Sequence, residues 1–433
     1  MNINLVYDTY SKKSFGGSCG IVVYFFRKAF QQLGYRTKEI YIPLSDKTSP
    51  ILISKPKASA NKAINFVFEE LYPRCIQSKE FRAAKNITFF NLAYFSKLPE
   101  ICKSDVVLFN SKFLMQCFLT EVVAQGLVPP KTDWIPLPLP LLEFPNGYPS
   151  SGGRISMRAI KQLKQECYLG HALRPKKQDF LATLFIVQHL NDIAKKKSTK
   201  PFYLLISEVD MASYKETIQK EGLQETLIDF FYPLPHLNNK SMISIMKKSD
   251  FGLCYDKVLE AFGFYPIESV YCRSPVFTNG AGNVRHLLPK NHGIYVFETL
   301  GMYFGSQRVR SDAYRLAAKR IFHTLMDRKK TISDCKAGVS FIEKNYSLKS
   351  LIKRLQPHLG DKTTSKTNQL SNKRLKPSPY LRLADWEKGY FVTDRGIIES
   401  KKLAKILMRS QKIKLKKPNA KTELKNKSIL SIF

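Results

Sequence analysis

Twice along this chain, short apolar runs alternate with stretches of helical apolar spacing, with glycine-bearing turns between them. Ile3–Tyr7 is an apolar run too brief for a helix. It is followed by the loop Phe15-Gly16-Gly17-Ser18-Cys19-Gly20 and by helical spacing over Val22–Leu33. Gly34 ends that helix, and Glu39–Ile42 resumes as a strand. Asn86–Phe90 and Val106–Phe109 repeat the pattern. Strand, crossover helix and strand in this order demand a parallel sheet. The stretch from Glu143 to Gly153, rich in Pro, Gly and Ser and without periodicity, interrupts the rhythm as a linker does. The alternation then restarts. Phe202–Ile206, Leu227–Phe231, Phe251–Tyr255, Pro275–Thr278 and Gly293–Val296 read as strands, and 179–195, 211–221, 239–248, 264–272 and 311–326 read as helices. The expected fold class is therefore α/β, with two Rossmann-like domains facing across a cleft. The predicted division is 1–142, a linker 143–160, 161–359, and a basic extension 360–433.

At 433 residues the chain is long enough for two domain cores, and 44% hydrophobic with 24% charged residues is an ordinary globular mix. Collagenous, coiled-coil and wholly disordered readings are excluded. The charge is unusual: 70 Lys and Arg against 35 Asp and Glu give +35. Only part of it belongs to the end of the chain, since residues 361–433 hold 19 Lys and Arg and 6 Asp and Glu. A polyanionic partner or a generally lysine-rich composition would both account for the balance. The eight cysteines include no Cys-x-x-Cys pair, and most lie in apolar runs such as Gly252-Leu253-Cys254-Tyr255, so they read as reduced, buried thiols. No close histidine pair suggests a metal, and neither metal nor cofactor is expected. The sequence shows no basic n-region before an apolar stretch at its start and no window of ~18 apolar residues. The expected location is cytoplasmic, with peripheral membrane attachment as an option.

The richest stretch is Glu260-Ala261-Phe262-Gly263-Phe264-Tyr265-Pro266-Ile267-Glu268-Ser269, after one predicted strand and at the start of a helix. Pro266 suits a first helical turn. Gly263 permits close approach of a ligand to the backbone, and a helix N-terminus offers free N–H groups to phosphate. Carboxylates at Glu260 and Glu268 bracket that helix start, and a carboxylate accepts hydrogen bonds from a sugar or ribose diol. An ordinary capped helix with surface acids is the bland alternative.

The following segment, Tyr271 to Gly282, supplies a strand through Pro275-Val276 and a second glycine turn. Taken together, Glu260, Phe262, Gly263, Glu268, Pro275, Val276 and Gly282 resemble the retaining GT-B-fold glycosyltransferases of family 4 in order and spacing. The likeness runs from residue 1 to about 358 and is strongest over 250–296. It implies transfer of a sugar from a nucleotide-sugar donor with retention of configuration. Glu268 would hold the nucleotide ribose and Glu260 the donor sugar, with Phe262, Gly263 and Phe264 lining the donor. Arg174 with Lys177 or Lys176, in Leu173-Arg174-Pro175-Lys176-Lys177-Gln178, is similar to the family's cation pair for the departing diphosphate, at shorter spacing. Gly16 and Gly17 are similar to its N-terminal glycine loop, and Asn110 and Ser111 to residues on the acceptor side.

The chain also departs from the family. Phe89-Phe90-Asn91-Leu92-Ala93 has no histidine where many members carry one, and Gly282 is followed by Asn283-Val284-Arg285 rather than by a Gly-x-x-Glu pattern. These differences bear on which sugar is used. The acceptor implied is a glycan or a lipid-linked glycan. The rival class is a polyanion-binding protein on an inactive scaffold, and a glycosyltransferase acting on DNA joins the two. In the extension, 361–379 lacks the apolar content to fold, while Leu403, Ile406 and Leu407 among lysines give the spacing of a basic amphipathic helix. That helix would tether the enzyme to an anionic membrane or nucleic acid, or close onto the core.

Overall fold

The computed structural model describes residues 2–8, 18–42, 63–68, 71, 84–91, 95, 97–148, 150, 152–257, 260–297, 307–360, 381–385, 390–393, 396–399 and 430–431. Gly16, Gly17, residues 361–379 and the residues of the expected basic amphipathic helix, Leu403, Ile406 and Leu407 among them, fall outside the described residues. The chain forms two compact units, one over Met1–Pro138 resumed at Asn345, the other chiefly Leu139–Lys344.

The first unit is built on a parallel six-stranded sheet: β1 (Asn2–Asp8), β2 (Arg36–Ile42), β3 (Ala63–Phe68), β4 (Lys85–Phe90), β5 (Val106–Phe109) and β6 (Lys131–Trp134), in spatial order β2-β1-β3-β4-β5-β6. β3 is buried along its whole length, as strands covered on both faces are. Helix α1 (Ser18–Gln32) lays Phe26 and Phe30 onto Phe66 at ring-centroid distances of 4.7 and 5.2 Å. Polar residues inside the sheet are paired. Asn4 Nδ2 donates to Asn65 Oδ1 (2.8 Å), and Asn65 Nδ2 to Asn86 Oδ1 (3.0 Å), across three neighbouring strands. Helix α2 (Lys112–Ala124) follows β5.

The second unit repeats the architecture: α3 (Met157–Glu166), β7 (Tyr168–Ala172), α4 (Phe180–Lys196), β8 (Phe202–Ser207), α5 (Met211–Lys220), β9 (Phe231–Leu234), α6 (Asn239–Lys248), β10 (Phe251–Cys254), α7 (Phe264–Tyr271), β11 (Val276–Thr278), β12 (Ile294–Val296), α8 (Gln307–Met326) and α9 (Arg328–Asn345). Its order, β12-β11-β10-β7-β8-β9, is the doubly wound one, and every pair is parallel. The expected strand Leu227–Phe231 is shifted: a 3-10 turn spans Glu225–Phe230 and pairing starts at Phe231. The apolar run covers both, and Pro233 is tolerated because β9 lies on the sheet edge.

The chain then returns to the first unit. Helix α10 (Leu348–Leu355) buries Leu348, Leu351 and Leu355 and packs beside α1. Arg354 stacks 4.7 Å over the Trp134 ring and donates to the Trp134 carbonyl at 3.1 Å. Beyond it, β13 (Leu381–Asp385), β14 (Tyr390–Thr393), β15 (Gly396–Glu399) and β16 (Leu430–Ser431) form a small sheet, antiparallel across β13-β14-β15. Cys102, Cys117, Cys167, Cys254, Cys272 and Cys335 are free thiols. Among the described residues no helix is long and apolar enough to cross a membrane.

Candidate functional site

In the doubly wound order of the second sheet, β7 and β10 are neighbours from which the chain goes on in opposite directions along the sheet, to β8 and to β11. Ligand crevices in open α/β sheets form at such a point, beyond the strand C-termini. The loop after β7 carries Arg174 and Lys177, and the loop after β10 carries Asp256 and Glu260. Backbone bonds tie the two loops together: Asp179 N–H donates to the Tyr255 carbonyl (2.7 Å) and Lys257 N–H to the Lys177 carbonyl (3.0 Å).

Arg174 is 6% exposed and is held on every side. Its Nη1 donates to Asp256 Oδ2 and to Cys254 Sγ, and its Nη2 to Glu260 Oε1. The Tyr265 ring lies under the guanidinium, 5.6 Å from centroid to Cζ. Lys177 Nζ reaches the same Glu260 oxygen at 2.7 Å. Of the two neighbouring lysines, Lys177 is therefore the one that pairs with Glu260; the Lys176 N–H instead donates to Asp210 Oδ1 at 2.8 Å, in a turn with φ 62°.

The electrostatics follow from burial and these pairs. Burial pushes Glu260 up, but Arg174 and Lys177 outweigh it and hold the carboxyl below its ordinary range. Burial would lower Arg174, yet Asp256, Cys254 and Glu260 raise it, so it stays charged. Burial also pushes Asp256 up, to about 6, against the pull of Arg174.

The loop from Glu260 to α7 is fixed by its neighbours. Glu260 bridges Gly282, Asn283 N–H donates to the Glu260 carbonyl at 2.8 Å, and Asn283 Nδ2 donates to the Phe262 carbonyl at 2.8 Å. Gly263 caps α7 at φ 104° without a side-chain cap, leaving the first-turn N–H groups of Phe264 and Tyr265 free of intrahelical partners. Phe262 and Phe264 meet edge-to-face at 4.8 Å. Glu268 is 8% exposed, and among the described residues none donates a hydrogen bond to its carboxylate; burial pushes it up to about 7. Tyr148 lies close enough to feel that charge.

Underneath, His171 is fully buried and neutral, lowered to about 3 by burial, with Nδ1 2.6 Å from the Tyr265 hydroxyl and Nε2 3.2 Å from Ser269 Oγ. The Tyr265 hydroxyl donates to the His171 carbonyl and accepts from Leu173 N–H. This network fixes the ring on which Arg174 rests.

The structure thus brings Arg174, Lys177 and Glu260 into contact and places Phe262, Gly263, Phe264 and Glu268 on the adjoining segment. Asn110 and Ser111 belong to the first unit, at the end of β5. Asn110 Nδ2 donates to the Asn91 carbonyl (2.8 Å), and Ser111 Oγ accepts Leu114 N–H at the start of α2. Sequence reasoning missed Asp256, Cys254 and Tyr265. Asp256 was findable: it is the first polar residue after an apolar strand, four positions before Glu260.

The fold is of the GT-B glycosyltransferase class, two Rossmann-like domains in one chain. No protein-family profile matches the sequence, and no curated protein matches it. Among solved structures, one described as trehalose-6-phosphate from E. coli bound with UDP-2-fluoro glucose is similar at 11% identity and TM-score 0.58, covering 83% of this chain and 99% of that one. A glycosyltransferase from Rickettsia africae matches at 13% identity and TM-score 0.54, with 82% and 97% covered. A sucrose-phosphate synthase from Thermosynechococcus elongatus matches at 13% identity and TM-score 0.54, with 82% and 98% covered. At these identities the likeness is one of fold.

Proposed function

We propose that the protein is a retaining glycosyltransferase that uses a nucleotide-sugar donor, of the kind that family 4 represents. One observation carries the reading: two cations from one strand end and a carboxylate from the next converge at the topological switch point, beside a helix start that carries a buried carboxylate with no donor of its own. In this reading the donor diphosphate lies against Arg174, Lys177 and the free N–H groups at the start of α7. Glu268 accepts from the ribose diol, and Glu260 orients the sugar. The acceptor oxygen forms its bond to the anomeric carbon as the bond to the diphosphate breaks, on the same face. The acceptor proton passes to the leaving phosphate oxygen. Fixed cations stabilise the charge that develops there, and positioning supplies the rest. Structures with similar folds include one described as bound with UDP-2-fluoro glucose, which is compatible with such a donor. The acceptor class is a glycan or lipid-linked glycan, and the net charge of +35 suits an acceptor that is anionic or held on an anionic surface.

A thermal-shift screen against UDP-glucose, GDP-mannose and ADP-glucose tests donor binding, because a ligand of the native state raises stability by mass action. Transfer and donor-hydrolysis assays then compare wild type with Arg174→Ala and Glu260→Ala. Each variant is expected to lose about 10²-fold or more in turnover, the scale of removing one transition-state charge partner. Wild-type turnover in both would overturn the site. Salt-steep binding to nucleic acid or anionic vesicles, with no nucleotide-sugar binding, would favour the polyanion-binding alternative.

A further inference from the structure

The charges at the switch point balance before any donor arrives: Arg174 and Lys177 face Asp256 and Glu260. A diphosphate therefore meets cations whose charge is already spent. Of the two carboxylates, Glu260 spreads over both cations at the edge of the site, whereas Asp256 is 1% exposed and sits behind Arg174. Its Oδ2 takes Arg174 Nη1 and Cys254 Sγ, and its Oδ1 is buried with no hydrogen-bond partner. An ionised oxygen left bare in the interior is costly, and its attraction to Arg174 is what offsets that cost. Any anion that competes for Arg174 weakens the offset.

We propose that Asp256 is a positioning residue that answers the donor's charge: when a diphosphate engages Arg174 and Lys177, Asp256 takes up one proton from solvent and releases its claim on the guanidinium. The inference rests on the donor reading above. The titratable and charged groups that face Asp256 are Arg174 and Lys177 after β7, Glu260 in its own loop, Cys254 on β10, Tyr214 on α5 and Tyr265 on α7. Burial holds the thiol and both hydroxyls protonated, and Glu260 is held ionised by its two cations. Asp256 is the member of this set that is poised between its two forms near neutral pH.

The test is the proton count on binding, from calorimetry of UDP-glucose, GDP-mannose and ADP-glucose in buffers of different ionisation enthalpy at pH 7. Sugar nucleotides serve better than free nucleoside diphosphates, whose terminal phosphate itself titrates near pH ~6. Wild type is expected to take up about one proton more than Asp256→Asn, and Glu268→Gln, which removes the other buried carboxyl of the site, is expected to keep that uptake. Wild-type affinity should tighten about fivefold to tenfold from pH 7.5 to pH 6.5, the most that one linked proton allows. Asp256→Asn should bind several-fold tighter than wild type at pH 7.5, because no carboxylate charge then competes with the donor for Arg174. A residue that merely supports the fold would weaken affinity and leave the proton count alone. Equal proton counts in wild type and Asp256→Asn, or weaker binding by the variant, would overturn the proposal while leaving the donor reading intact. If none of the three sugars binds wild type, the donor reading falls and this inference with it. Should Asp256→Asn not fold, Asp256→Ser is the comparison, and absence of proton uptake in a Glu268→Gln variant that binds one of the three sugar nucleotides suffices to reject the idea.

Discussion

Glu268 shows how one buried side chain sets a pH dependence for the whole fold. Its carboxyl is raised to about 7 in the folded protein, against an unfolded value near ~4.3. Between those values the unfolded chain ionises while the folded one stays protonated, so the folded state binds more protons and stability falls as pH rises through the window. Glu268→Gln removes that dependence. Urea denaturation should find the variant close to wild type at pH 4.5 and about 2–3 kcal/mol more stable at pH 8. Equal stabilities at pH 8 would mean that the carboxylate is solvated. Gly282 is a second sensitive position: a Cβ there would stand 2.4 Å from the Glu260 carbonyl oxygen, at φ 65°. Gly282→Ala should displace Glu260 and reduce turnover at least tenfold while costing about 1–3 kcal/mol of stability, read by assay and melting in parallel. The glycine pattern and both glutamates were legible in the sequence, because backbone strain and helix starts leave local marks. The Arg174–Asp256 pair was not. It depends on which strands lie side by side, and β7 and β10 are about eighty positions apart.

At the level of elements, the predicted helices and strands of the second unit match closely in place, since period 3.6 and short apolar runs are strong signals when glycines and prolines separate them. The element hardest to place was α10. Its sequence, Leu-Lys-Ser-Leu-Ile-Lys-Arg-Leu, announces an amphipathic helix but not its partner. The sequence reading carried the second domain through to 359, whereas the structure docks Leu351 of α10, fully buried, in the first unit beside α1. Around it Arg354 covers Trp134, and His358 Nε2 lies 3.1 Å from Asp133 Oδ2. Leu351→Ala is expected to cost about 2–4 kcal/mol, the range for a buried leucine emptied into a cavity. Chemical denaturation followed by Trp134 fluorescence would register it, and a loss under 1 kcal/mol would show that α10 docks only loosely.

For the molecule as a whole, an excess of 35 positive charges stores self-repulsion that salt relieves. With a Debye length near ~10 Å at 0.1 M, raising NaCl from about 20 to 300 mM should screen most of it and raise Tm by several degrees. A flat or falling Tm would mean that specific ion pairs dominate. Chain order carries another consequence. The first unit opens the sequence, yet it lacks α10 until the chain has crossed the whole second unit and come back at Asn345. On a ribosome, the part made first is therefore completed last: β1 to β6 must wait, with the face that α10 covers still bare, while some two hundred residues are synthesised and can fold ahead of them. The exposed leucine-binding surface of that waiting half is where a nascent chain of this protein is most open to chaperones and to aggregation.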